Sequence, residues 1–276
     1  MKSVDEIVAI YGARSQASDQ IKSRMRTLRD YYNGDVIVPL PELNSDEQSA
    51  VANLLAQGLD QTAMRIASTR PDIYCPPLDP ARKRSRDNSD IKRKALFGWW
   101  ENSRMDLQLA KRARYLIGYS NTVSQLRWND ESGCPEWHLR DPLTAYPATL
   151  LGVDDMRPRD CIFGYERPLG WLHNNYPEVG RVFQADSDSG PDTAIELIEY
   201  VGEDETVLIA MRGPVNTGLF ATSTYGADDN VVVELERVPN RLGQTPVVIA
   251  QRISLDSAQG QFDGILGMYQ MQARLM

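Results

Sequence analysis

The sequence predicts an α+β chain: a helical N-terminal part, then a mostly antiparallel sheet region, ending in a stem-like helix. Three observations carry this. Apolar residues recur at helical spacing through the first 120 residues, the period falls to two after Ser120, and helical spacing returns from Asp256. The expected parts are therefore 1–120, 121–255 and 256–276.

Taken in order, Ile21, Met25, Leu28 and Tyr32 recur at helical spacing with Lys22, Arg24, Arg26 and Arg29 between them, and Asn33-Gly34 stops the helix. Pro39 and Pro41 mark an extended link. Ser45 followed by Gln48 is a capping-box pattern opening the run Val51, Leu54, Leu55, Leu59, Met64, Ile66, which Pro71 closes. Asp72 to Cys75 reads as strand-like. Asp79-Pro80 then supplies a cap and first-turn proline for a helix reaching Trp99-Trp100, and Met105 to Tyr119 forms another. Thr122 to Trp128 and Glu136 to Arg140 alternate about the turn residues Asn129 to Gly133, which predicts a hairpin. Further strands are expected at Asp160–Glu166, Thr193–Val201, Glu205–Met211, Val231–Arg237 and Val247–Arg252, with a short helix over Leu169–Tyr176. Loops rich in Asp, Ser and Gly fill 185–192 and 221–230. The last pattern puts Phe262, Ile265, Leu266, Tyr269 and Leu275 near one side of a helix, which meets no Gly, Asn or Pro before Met276.

Apolar residues make up 42% and charged residues 25% of the 276, as in globular chains. No apolar run approaches the roughly 20 residues that span a bilayer, so no membrane partner is expected, and the opening residues do not read as a signal peptide. Cys75, Cys134 and Cys161 are far apart with no CxxC pair and read as free thiols of a reducing compartment. The net charge of -8 is divided unevenly. Residues 1–120 carry 19 Lys+Arg against 15 Asp+Glu, and residues 121–276 carry 11 against 23.

Catalytic signatures are scarce. His138 and His173 fall in different elements and read as surface or satisfied imidazoles. There is no HExxH, phosphate-binding GxxxxGK[ST], GxGxxG or GxSxG motif, so no metal, nucleotide or other cofactor is expected. Asp186 to Asp192 spaces carboxylates as calcium loops do, but Pro191 follows the glycine and no glutamate closes the loop. A solvated loop is the better reading. The sharpest charge signal is Arg82, Lys83, Arg84, Arg86, Lys92, Arg93 and Lys94, diluted by Asp79, Asp87 and Asp90. These seven are candidate subunit-interface or phosphate contacts. A nucleic-acid-binding helix over 82–94 is the alternative function, set against a solvated face or pairing with an acidic neighbour. A hydrolase using scattered carboxylates is a third reading. The five tryptophans read as core or interface anchors.

Four stretches carry a resemblance. They are Arg29 to Gly34 with its proline-containing link; Asn53 to Arg70 running into Pro71 to Pro77; Trp99 to Leu107, the helix to Tyr119, the hairpin and Arg140 to Pro147; and Thr245 to Ile249 followed by Phe262 to Tyr269. In their succession the chain resembles the portal proteins of tailed bacteriophages, particularly those infecting actinobacteria. The resemblance implies a non-enzymatic subunit of a dodecameric ring at the capsid vertex of the virion, assembled in the host cytoplasm. It implies a wing domain followed by the start of a stem helix with Phe262, Ile265, Leu266, Tyr269 and Arg274, with the clip, second stem helix and crown beyond Met276. It also implies as partners the major capsid protein, the terminase large subunit, head–tail adaptor and scaffold proteins, and double-stranded DNA in the channel. Acids after residue 120 would let phosphates slide instead of trapping them, and the basic early helices would meet acidic parts of a neighbouring copy.

Overall fold

The computed structural model describes residues 1–35, 53–69, 71–129, 131–148, 157–183, 190–212, 231–251 and 261–262, and the backbone of 253–254 and 257–258. In chain order the elements are α1 (Val4–Asn33), α2 (Leu54–Ala67), α3 (Lys83–Asn102), α4 (Met105–Tyr119), β1 (Asn121–Asn129), β2 (Cys134–Arg140), a 3-10 turn (Pro142–Thr144), β3 (Ala145–Pro147), β4 (Cys161–Pro168), α5 (Leu169–Asn175), α6 (Pro177–Phe183), β5 (Ala194–Val201), β6 (Glu205–Arg212), β7 (Val231–Pro239), β8 (Val247–Gln251), β9 (Ile253–Ser254) and β10 (Ser257–Ala258). The α+β class holds: helices come first, and the paired strands of the main sheet are antiparallel.

The chain divides into two compact units. One comprises Met1–Arg26, Val123–Gln125 and Arg140–Ala250; the other comprises Thr27–Thr122, Leu126–Leu139 and Gln251–Met276. The boundary expected at residue 120 is therefore not where the units part, because α1 supplies residues to both.

The first unit is built on the sheet β3-β4-β5-β6-β7. Its two-residue period sends Ile162, Ile198, Tyr200, Val207, Ile209 and Met211 to one face, where Ile7 and Tyr11 of α1 cover them. The other face is shared. Ile195, Leu197 and Ala210 pack with Leu169, Leu172 and Phe183 of α5 and α6, whereas Cys161, Phe163 and Val201 pack with Val123, Val247 and Ile249 of β1 and β8. Full burial of each such aliphatic side chain contributes about 1.5–3 kcal/mol, so these two covered faces are the main source of stability. Tyr11 crosses β4 at Gly164, meeting Tyr146 edge-on at 5.1 Å. A methyl group on Gly164 would lie 2.2 Å from the Tyr11 hydroxyl.

In the second unit α1 ends at Gly34, whose φ of 82° is the left-handed conformation glycine takes without strain. Asn53 then serves two helices: its carbonyl accepts from the Ala56 N–H at the start of α2, and its amide donates to the Tyr31 and Tyr32 carbonyls at the end of α1. Leu28, Tyr31 and Leu55 form one small core, and Ala63, Ala113 and Ile117 another. Phe262 packs against both.

Several expectations are corrected. Asp72 to Cys75 joins no ladder. The helix expected at Leu169–Tyr176 is present as α5, and a second helix that was not expected, α6, opens at Pro177. β3 and its preceding 3-10 turn are too short to show a period. Ser257 and Ala258 pair with Ser254 and Ile253 instead of opening a helix, and Gln261-Phe262 is a turn. The stem-helix residues Ile265, Leu266, Tyr269 and Arg274 lie outside the described residues, as do the Ser45–Gln48 box, the link at Pro39 and Pro41, and most of the two loops. No helix among the described residues is long and apolar enough to cross a membrane.

Gly164→Ala is expected to destabilise the sheet unit by about 1–3 kcal/mol, the usual cost of forcing an extra group into a packed core. Tyr11→Phe combined with Gly164→Ala should recover part of the loss by removing the clashing oxygen. Thermal unfolding of the two variants checks this.

Candidate functional site

The candidate surface is α3, and its construction differs from the sequence expectation. Asp79 does not cap the helix. Its carboxylate accepts from the Ala81 N–H in a tight turn, and its own N–H donates to the Ser85 hydroxyl. The helix starts three residues after Pro80, at Lys83, with Arg82 extended before it and making no side-chain cap bond. Ser89 donates to the Cys75 carbonyl, which ties the extended segment before the helix along it.

None of the 20 residues of α3 is buried. Of the seven predicted cations, all are exposed. Arg82 pairs with Asp79 at 3.0 Å, and Arg93 lies 3.9 Å from Asp72 and 5.7 Å from the Phe97 ring. Lys83, Arg84, Arg86, Lys92 and Lys94 make no ion pair or side-chain hydrogen bond among the described residues. Large apolar side chains stand exposed on the helix and on the segment tied along it: Ile91 is 64% exposed, Leu96 41%, Tyr74 76% and Leu78 97%. An open depression on the helix is lined by Asp90, Arg93, Lys94, Phe97, Gly98 and Glu101. The tryptophans are held by polar tips: Trp99 donates to the Pro135 carbonyl at 2.5 Å, and Trp100 to Asp106 at 2.7 Å. Trp137 is buried, with the Arg112 guanidinium 5.9 Å from its ring.

The two histidines sit apart, in different elements. His138 sits 3.4 Å from Glu136, and the His173 ring packs against Gly180. No group of three metal-ligating side chains occurs among the described residues. Phe262, the one described member of the predicted stem set, is an interior side chain of the helical unit.

What sequence reading missed is a set of buried charges in the sheet unit. Lys22 was read as one of the cations between apolar positions, yet it is 4% exposed while Ile21 is 49% exposed. Its ammonium donates to the Pro142, Leu143 and Ala145 carbonyls at 2.5, 3.0 and 2.6 Å and lies 4.4 Å from the Tyr146 ring centre. Burial pulls this amine down to about 7, and the three carbonyls, which only an ammonium can fully satisfy, oppose that pull. Burial likewise pushes the Cys161 thiol up to about 12. Asp160, Glu199 and Glu205 are also buried, so these acids do not line any surface. Asp160 meets Arg14 at 2.5 Å and Lys2 at 3.2 Å; Glu199 accepts from Arg140 at 2.8 Å and Gln125 at 2.9 Å; Glu205 accepts from Arg237 at 2.6 Å and the Lys2 N–H at 2.8 Å. Burial pushes Glu205 up, but the Lys2 N–H and Arg237 outweigh it and hold the carboxyl below its ordinary value. Glu196 goes the other way: burial raises it, although Tyr11 donates to it at 2.6 Å.

No known family model matches the chain, and no curated protein matches it.

Lys22→Met removes the donor from three carbonyls and is expected to cost about 3 kcal/mol, within the range for breaking a buried charged hydrogen-bond set; urea unfolding reads it. Glu205 gives a pH dependence of defined sign. Its folded value is depressed, so its contribution is complete above the unfolded value of about 4.3 and is lost as pH falls through the lower folded value. Glu205→Gln should therefore flatten the acid limb of a stability–pH curve and lower stability at neutral pH.

Proposed function

We propose that this chain is a structural subunit of a ring, the portal through which a tailed bacteriophage takes up and releases its DNA, and that it works by assembly instead of by catalysis. The observation that carries the reading is α3 of the helical unit, a 20-residue helix with no buried residue that carries the exposed Ile91 and Leu96 and is tied to the segment holding the exposed Tyr74 and Leu78. Exposed apolar side chains gathered in one region mark association surfaces. The element order that prompted the portal resemblance also supports it, since α1 ending at Gly34, α2, α4, the β1–β2 hairpin and the 140–147 segment follow one another as that resemblance expects. On this reading the subunits form a dodecamer at a capsid vertex. Terminase, adaptor, scaffold and major capsid proteins dock on it, and duplex DNA passes through.

The test is direct. Light scattering and negative-stain microscopy of the purified chain should show a ring with a central hole. A species that stays monomeric at every concentration tried would refute the proposal.

A further inference from the structure

α3 is the feature the ring reading leaves unassigned in detail. We propose that α3 is a docking helix for the acidic sheet unit of a second copy of this chain, an inference that rests on the ring reading and specifies one of its contacts. The charge of the molecule follows its two units. The sheet unit carries 13 Lys+Arg against 21 Asp+Glu, and the helical unit carries 17 against 17. The whole net charge of -8 thus belongs to the sheet unit.

Much of the sheet unit's positive charge is turned inward. Lys2, Arg14, Arg140 and Arg237 serve Asp160, Glu199 and Glu205, and Lys22 serves carbonyls. Its exposed acids Glu166, Glu178, Glu203 and Asp204 have no ion-pair partner among the described residues. The helical unit does the reverse, presenting five exposed cations on α3 with no ion-pair partner among the described residues. The two units are opposite in the sign of their unpaired exposed charges among the described residues, and charge complementarity of this kind orients and speeds association. Nucleic acid is the less favoured occupant. Ile91, Leu96, Tyr74 and Leu78 stand exposed beside the cations, and such apolar groups gain from a protein surface but not from phosphates. One face of one copy meeting a different face of the next is also the heterologous arrangement that closes a ring.

The test is the triple substitution Arg84→Glu, Arg86→Glu, Lys92→Glu, at exposed positions that make no ion pair or side-chain hydrogen bond among the described residues. Analytical ultracentrifugation compares it with the unchanged chain at low and high salt, and circular dichroism confirms that it melts alike. The expected result is self-association of the unchanged chain that weakens roughly tenfold or more as salt screens it, and loss of association in the variant at low salt. A variant that assembles as well as the unchanged chain overturns this contact while leaving the ring reading intact. An unchanged chain that never associates overturns both. Tight, salt-sensitive binding of a duplex oligonucleotide by a monomeric unchanged chain overturns the docking proposal in favour of phosphate contact.

Discussion

Lys22 sets the position of α1 on the sheet. Three carbonyls from one 3-10 turn and its exit, those of Pro142, Leu143 and Ala145, converge on one amine. Three acceptors need three protons, and of the uncharged or charged side chains that could reach, an ammonium supplies them as a point donor. The consequences run outward along the chain. β3 begins at Ala145, so fixing that carbonyl fixes which face Tyr146 takes. Tyr146 then stands edge-on to Tyr11, which passes over Gly164 and donates to Glu196 on β5. A one-residue slip of β3 would turn Tyr146 to the opposite face and leave Tyr11 without its neighbour. Helix, short strand and the middle of the sheet are thus held in one register by a single buried cation.

That cation belongs to a wider pattern. The three buried carboxylates named above are each met: Asp160 by Lys2 and Arg14, Glu199 by Arg140 and Gln125, Glu205 by Arg237 and the backbone of Lys2. Such pairs add little net stability compared with apolar packing, but breaking one leaves a stranded charge. They therefore act against alternative packings more than they strengthen this one. Each arginine drawn inward takes a buried acid with it, so these pairs leave the acidic balance of the unit's exterior to its remaining acids.

The sequence made the long periodic elements legible. α4 has the bounds its spacing predicts, and the hairpin, β5, β6, β7 and β8 fall within a residue or two of theirs. The misses share physical causes. Lys22 occupies a core position because carbonyls, invisible to a hydropathy pattern, make that position polar; the only trace was that the stripe Ile7, Tyr11, Ser15 leads to 22 as readily as to 21. Asp79-Pro80 carries the signals of a helix start, but an Asp side chain can close a turn on the second residue along as easily as it caps a helix, and Arg82 intervenes. β3, α6 and the 253–258 ladder are too short for a period to register. The basic stretch itself was legible. What the structure added is that α3 has no buried face, and that the molecule's charge divides by unit and not at residue 120.

The way α3 is held bears on how its surface can be used. A lone helix of this length is marginal in water, and most helices are stabilised by burying a stripe. α3 buries none. It is secured from its ends and along one side: Ser85 and Ser89 bind the extended segment before it, Trp99 reaches Pro135, and Trp100 reaches Asp106 in α4. These tethers come from serine hydroxyls and indole N–H groups, not from the lysines and arginines. Arg82 and Arg93 pair locally with Asp79 and Asp72, but Lys83, Arg84, Arg86, Lys92 and Lys94 take part in none of these tethers, and their placement is answerable to whatever the helix meets outside. A surface whose charges can be reversed without disturbing its own scaffold is one on which association can be set by charge alone, and α3, with five cations unpaired among the described residues, is such a surface.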